Sequence, residues 1–136
     1  MDDCVFCKLK EAIGKDRIIY EDSDWLAVLD NYPVSEGHTL LIPKRHCETF
    51  FDLSDVENQY FIATLNVVKG ILDGRYNPDG YNIGMNCGEA AGQTVMHCHI
   101  HIIPRYKGDC ENPRGGVRGC IPLTYELLGS FYFCYN

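Results

Sequence analysis

Three histidines occupy alternate positions in His97-Cys98-His99-Ile100-His101-Ile102-Ile103. Alternate side chains of a strand share one face and sit about 7 Å apart. Read as a strand over 95–103, the segment points three imidazoles one way and Cys98, Ile100 and Ile102 the other. The second set suits a core. The first serves no packing purpose that valine or threonine would not serve better. Two chemistries use such a row. Imidazole is a common zinc ligand, and a neutral imidazole nitrogen is a nucleophile that can form a covalent intermediate. Imidazole titrates near pH 6.5, so its free base is abundant at neutral pH. A row about 13 Å long is poorly matched to one ion with bonds of about 2 Å, so a catalytic metal held by His97, His99 and His101 is the weaker alternative.

Cys4 and Cys7 divide the labour. A C-x-x-C spacing offers two thiolates to one zinc, and two histidines complete a closed Cys2His2 tetrahedron. His46, in Pro43-Lys44-Arg45-His46, and one end of the histidine row are candidates for those two. A redox pair is the other use of C-x-x-C, but no β-α-β context accompanies it. Just before the histidines, Gly84-Met85-Asn86-Cys87-Gly88-Glu89-Ala90-Ala91-Gly92-Gln93-Thr94 has the small residues that let backbone N–H groups approach an anion. It lacks the G-K-[ST] ending of a P-loop.

Those groups need a scaffold. Residues 17–21, 25–30 and 38–43 read as short strands, the last ended by Pro43. Ser54-Asp55-Val56-Glu57 has the form of a capping box, and Phe61, Leu65, Val68 and Leu72 then recur at helical spacing to about Gly74. Asn77-Pro78-Asp79-Gly80 is a turn, followed by a strand at about 81–86. Strands, one long helix and further strands without β-α-β alternation indicate a single α+β domain over 1–136 with a largely antiparallel sheet. The C-terminal tail, 105–136, ends in Phe131, Tyr132, Phe133 and Tyr135 and is expected to pack on the core or on a second subunit.

Composition narrows the function. With 136 residues, 46% hydrophobic and 23% charged, the chain suits one globular core. No apolar stretch is long enough to span a membrane. The Met-Asp-Asp start has neither the basic nor the apolar region of a secretory signal. A reducing, cytoplasmic setting is expected, with the nucleus open as a second location. Most of the eight cysteines are then expected as buried small apolar residues rather than disulfides. A net charge of −7 gives little support for binding a nucleic-acid backbone. Lys44, Arg45, Arg105, Lys107, Arg114 and Arg118 flank the motifs, and as a set would suit a small anion.

Residues 92–105 resemble the signature of the histidine-triad (HIT) family, in which three histidines alternate with apolar residues, and all seven signature positions match. The similarity extends through Trp25–Asp30 and Pro33–His46, and covers roughly residues 4–119. It implies a HIT-like fold with a five-stranded antiparallel sheet, one long and one short helix, and a homodimer whose sheets join. It implies His99 as the nucleophile on the α-phosphorus, His101 as the group that assists the leaving group, and Gln93 as a further catalytic residue. Asp30, Asn86, Gly92, Gln93 and Thr94, with His99 and His101, would bind the nucleotide. Cys4, Cys7, His46 and His97 would hold a structural zinc in the N-terminal segment 1–14 and its neighbours. The nucleotidyl-transferase branch carries glutamine where this chain has His101, so the resemblance favours hydrolysis. A purine nucleotide is the implied substrate and an AMP-type mononucleotide the product. A non-catalytic nucleotide binder is the alternative from another class. Asn112-Pro113-Arg114-Gly115-Gly116-Val117-Arg118-Gly119 is similar to zinc-containing microbial members.

Overall fold

A computed structural model describes residues 3–121, so the aromatic end of the tail lies outside the described residues. Five strands form one antiparallel sheet: β1 (Ile18–Glu21), β2 (Trp25–Leu29), β3 (Thr39–Pro43), β4 (Gly80–Gly84) and β5 (Ile100–Arg105), in the order β1-β2-β3-β5-β4. Among the described residues two α-helices accompany them, the short α1 (Leu9–Ala12) and the long α2 (Asp55–Tyr76).

The sheet buries both faces, which is why β2 and β3 read as unbroken apolar runs. Trp25, Ala27, Leu41, Ile100 and Ile102 share one core with Phe61, Val68 and Leu72 of α2. Leu26, Val28, Leu40 and Ile42 form a second core with Leu9, against which Phe6, Ile13 and Ile18 pack. The N-terminal segment therefore covers the face opposite α2. Leu40 pairs with His101 in the β3–β5 register, so His101 lies on the N-terminal side of the sheet.

The helix begins where its capping box requires. Ser54 Oγ accepts from Glu57 N–H at 3.2 Å, and Glu57 returns a carboxylate oxygen to Ser54 N–H at 2.6 Å. Arg45 grips the same carboxylate at 3.0 and 2.9 Å, which ties the end of β3 to the start of α2. Left-handed Asn77 (φ 46°) stops the helix two residues beyond Gly74.

One expectation about the histidines is corrected. They do not all lie on a strand: β5 begins at Ile100, and residues 95–99 are irregular. β4 ends at Gly84, opposite His101, and the pairing of β3 with β5 stops at Leu41 and Ile100, although β3 itself runs on to Pro43 beside β2. Cys98 N–H instead donates to the Cys47 carbonyl at 2.7 Å. The alternation survives because Cys98 still packs with Ile100 and Ile102. The cysteine expectation also needs correction: among the described residues only Cys47 and Cys98 are buried, and all seven described cysteines are free thiols.

Replacing Ser54 with alanine strands the first helical N–H groups and should cost about 1 kcal/mol. Thermal denaturation should show Tm lowered by about 4 °C, with the sheet unaltered by circular dichroism.

Candidate active site

The irregular stretch before β5 turns each imidazole toward a different partner. His97 is buried, and its Nε2 lies 2.8 Å from the Pro43 carbonyl. A carbonyl can only accept, so Nε2 carries the proton and Nδ1 keeps its lone pair. That Nδ1 faces Cys4 Sγ at 3.4 Å and Cys7 Sγ at 3.5 Å, while His46 Nδ1 lies 3.3 Å from Cys7 Sγ. All four ligand atoms fall within 4.8 Å of one another. Two ligands of a tetrahedral zinc with bonds of about 2.3 Å to sulfur and 2.05 Å to nitrogen stand about 3.6 Å apart. The donor set and its spacing therefore fit the ion. Burial and the neighbouring Cys4 sulfur push the Cys7 thiol up. The Pro43 carbonyl on His97 is the outer partner that fixes a metal-binding tautomer.

The same reasoning fixes His99. Its Nδ1 lies 2.8 Å from the His97 carbonyl, so Nδ1 is protonated and Nε2 holds the free lone pair. His99 is 8% exposed and lines a cleft of about 370 Å³ shared with Asp30, Asn86, Gly92, Thr94 and His101. The other walls of the cleft are largely apolar, from Val5, Phe6, Leu9, Val28 and Leu40. A flat base suits those walls and a phosphate suits the histidine end.

Sequence reasoning gave no role to His38, and the structure places it at the centre. Val34 N–H donates to His38 Nδ1 at 3.1 Å, so the proton of a neutral His38 sits on Nε2. Nε2 lies 2.9 Å from His101 Nδ1 and 3.4 Å from Asp30 Oδ2. His101 Nδ1 is thus an acceptor, and its own proton sits on Nε2. Asp30, His38 and His101 come close enough to resemble a second metal cluster. The Val34 bond argues against that use, because His38 Nε2 cannot bind a cation while Nδ1 accepts from an amide. His38 Nε2–H donates to His101 Nδ1 as a two-ring relay, with the Asp30 carboxylate beside it. Burial pushes the His38 pKa below its ordinary value, with Asp30 opposing. Burial also lowers that of His101, helped by the neighbouring His99 and His38 rings.

The loop before the histidines is built on Gln93. Both N–H bonds of its amide are used inside the chain, to the Glu48 carbonyl at 2.7 Å and the Val95 carbonyl at 3.1 Å. Its oxygen accepts from Gly88 N–H at 2.8 Å. Gln93 is buried and outside the cleft lining, so the loop's polar side chains that reach the cleft are Asn86 and Thr94. Gly88 (φ 92°) and Gly92 (φ 89°) take left-handed backbone that the tight loop demands.

The flanking cations do not gather at the cleft. Lys44 pairs with Glu21, Arg45 with Glu57 and Arg105 with Asp109, and none of the six expected residues lines the cleft. Arg17 is the cation that does, held by the Asn31 side chain and the Leu29 carbonyl.

Comparison with known proteins agrees with this geometry. The family model described as the HIT domain matches residues 12–108. A HIT-like protein of Methanocaldococcus jannaschii is 44% identical over 108 residues, spanning 79% of this chain and 83% of that one. Adenylylsulfatase HINT3 of Arabidopsis thaliana is 37% identical over 109 residues, 80% of this chain and 55% of the plant protein. The crystal structure of a zinc-bound histidine triad family protein from Mycobacterium smegmatis matches with TM-score 0.70 at 37% identity, covering 79% of this chain and 78% of that one. With the domain match spanning most of the chain and the antiparallel sheet shared with solved members, this protein belongs to the HIT family.

Proposed function

We propose that this chain hydrolyses nucleotides at the α-phosphorus through a nucleotidyl-His99 intermediate. The observation that carries the reading is the His99 tautomer: with Nδ1–H held by the His97 carbonyl, Nε2 is the nitrogen left with a lone pair, in a ring that lines the cleft. That is the arrangement an imidazole nucleophile needs. In the first step His99 Nε2 forms a bond to phosphorus while the bond to the leaving atom breaks, and the electron pair departs with that atom. His101 Nε2–H donates to the charge that develops there. In the second step water oxygen attacks phosphorus, the P–N bond breaks, its pair returns to His99 Nε2, and the water proton is released with the mononucleotide.

Asn86, Thr94 and the loop backbone would hold phosphate oxygens, each donor contributing about 3 kcal/mol if placed as in an oxyanion hole. Gln93 supports them by shaping the loop, and Asp30 would bind the ribose hydroxyls from the rim of the relay. The substrate class is a purine mononucleotide joined to a polyphosphate or an amine. The name of the plant relative adds sulfate as a leaving group of the same kind. A structural zinc on Cys4, Cys7, His46 and His97 would cross-link the N-terminal segment to β3 and to the histidine bend. β4 ends the sheet with an unpaired edge and half-exposed Ile83, the edge through which a homodimer would join its sheets. The reading places the protein in the cytoplasm.

His99→Ala should lower turnover by at least about 10³-fold. It should also abolish an acid-labile nucleotidyl adduct trapped in single-turnover incubations with radiolabelled adenosine polyphosphate and phosphoramidate, with metal content equal to wild type. Nucleotide binding without adduct or turnover on any substrate would leave a binder.

Acid should inactivate through the relay. A proton on His101 Nδ1 abolishes its acceptor role toward His38. Both pKa values lie below the ordinary 6.5, so the neutral pair persists down to pH 6.5 and is lost below it. Folding stability declines in the same direction, because below pH 6.5 the unfolded chain binds protons that the folded pair resists. A pH profile of kcat/KM should be flat from 7.5 to 6.5 and fall beneath that; an acid limb centred above pH 7 would contradict it.

Chelation should remove one zinc per chain and lower Tm by several degrees, since metal binding and folding are linked. Elemental analysis showing no zinc in protein purified without chelators would reject the metal assignment.

A further inference from the structure

Between Cys4 and Cys7 stands Phe6, so far named only as part of the cleft's apolar wall. Its ring centroid lies 5.0 Å from that of His99, with the planes 79° apart, and 6.0 Å from that of His97 at 77°. Both are edge-to-face contacts, which hold aromatic rings at defined angles. Phe6 also packs on the core formed by Leu26, Val28, Leu40 and Ile42, and reaches the cleft that His99 lines.

We propose that Phe6 is a positioning residue for His99: the metal turn carries its ring onto the nucleophile and fixes that imidazole's plane. The inference rests on the reading of His99 as nucleophile, and adds a structural reason for the position of the zinc.

The argument begins with what holds His99. Its hydrogen bond to the His97 carbonyl fixes which nitrogen is protonated, but rotation of the ring about Cβ–Cγ would break that bond and release the tautomer. A second contact is needed to set the plane. The His101 ring supplies one wall, with its centroid 5.3 Å away. Phe6 supplies the other.

Next comes what holds Phe6. The turn around it has weak internal support: Lys8 N–H to the Cys4 carbonyl and Leu9 N–H to the Phe6 carbonyl are both 3.3 Å. α1 behind it is only four residues long, too short to stand alone. Anchoring Cys4 and Cys7 through one ion, together with His46 and His97, would pin the backbone on either side of Phe6. His97 then joins both arrangements. Its Nδ1 faces the sulfurs, and its carbonyl accepts from His99. The metal cluster thus reaches the nucleophile twice, once through the His97 backbone and once through the Phe6 ring.

The test uses full-length Phe6→Ala, Phe6→Leu and Phe6→Tyr proteins. Metal content, kcat and KM on adenosine phosphoramidate, and nitrogen NMR of the histidine rings at fixed pH 7.5 are measured for each. Wild type should show His99 as a single Nδ1–H tautomer. Phe6→Ala should keep one zinc per chain, lose about tenfold in kcat with KM changed less than threefold, and show a mixed His99 tautomer. Phe6→Leu, which keeps apolar volume without a flat ring, should fall with alanine. Phe6→Tyr should recover most of kcat and the single tautomer. A loss confined to KM, with the His99 spectrum unchanged, would leave Phe6 as a substrate-binding wall alone and overturn the proposal. So would a loss of kcat found only in variants that also lose the metal. If wild type turns over nothing, the hydrolase reading fails, while the NMR comparison still decides whether Phe6 sets the His99 ring.

Discussion

A carbonyl cannot donate a hydrogen bond and an amide N–H cannot accept one, and the histidine cluster is organised around that fact. Each of three imidazoles meets a backbone group of fixed polarity: His97 the Pro43 carbonyl, His99 the His97 carbonyl, His38 the Val34 N–H. Each contact selects one tautomer. The outcome differs at each position. His97 presents Nδ1 toward two sulfurs, His99 keeps a lone pair on Nε2, and His38 donates to His101. Identical side chains thereby acquire distinct chemistry without any nearby charge except Asp30. The irregular backbone at 95–99 is what makes this possible. There the His97 carbonyl turns to the His99 ring.

Where that backbone runs follows from the sheet. Gly84 ends β4 opposite His101, and β3 leaves β5 after the Leu41–Ile100 pair, so β5 has paired neighbours only from Ile100 onward. The Pro43 carbonyl, past the last β3–β5 pair, is left for His97. The same sheet sorts the faces: Cys98, Ile100 and Ile102 turn to α2, and His101 turns with Leu40 toward the N-terminal segment. An all-polar histidine row would be costly in a core closed on both sides. Here the short N-terminal cover leaves a cleft rather than a sealed layer.

Much of this was legible in the residues. The capping box at Ser54, the Phe61–Leu72 stripe and the apolar runs of β2 and β3 are local signals, and the structure contains each element. Ligand type and C-x-x-C spacing pointed Cys4 and Cys7 to His46 and one end of the histidine row, the family resemblance named His97 as that end, and the four ligand atoms lie together. What was not legible depends on partners far away in the chain. His38 stands 63 residues from His101, and nothing in a period of two or 3.6 reveals that they meet. The one available signal was a histidine opening an otherwise apolar strand. Gln93 could be read as a donor, but not that Glu48 and Val95 would consume its amide. Likewise Lys44, Arg45 and Arg105 looked like part of an anion site until Glu21, Glu57 and Asp109 were placed beside them.

The loss of those cations changes how the cleft can hold a phosphate. A buried lysine or arginine would attract the anion strongly, but it would hold substrate, intermediate and product alike. Such uniform binding adds nothing to turnover once the site is filled. Neutral imidazoles and backbone or side-chain N–H groups act differently: they interact most strongly with the charge that appears as phosphorus gains its fifth neighbour. They are useful only when their direction is fixed, since a dipole that turns away has no effect. Beside Arg17, rigidity therefore does what the other expected cations do not. The elements that look accessory (the Gln93-bound loop, the Val34–His38 bond and the cysteine turn with Phe6) are the ones that supply it.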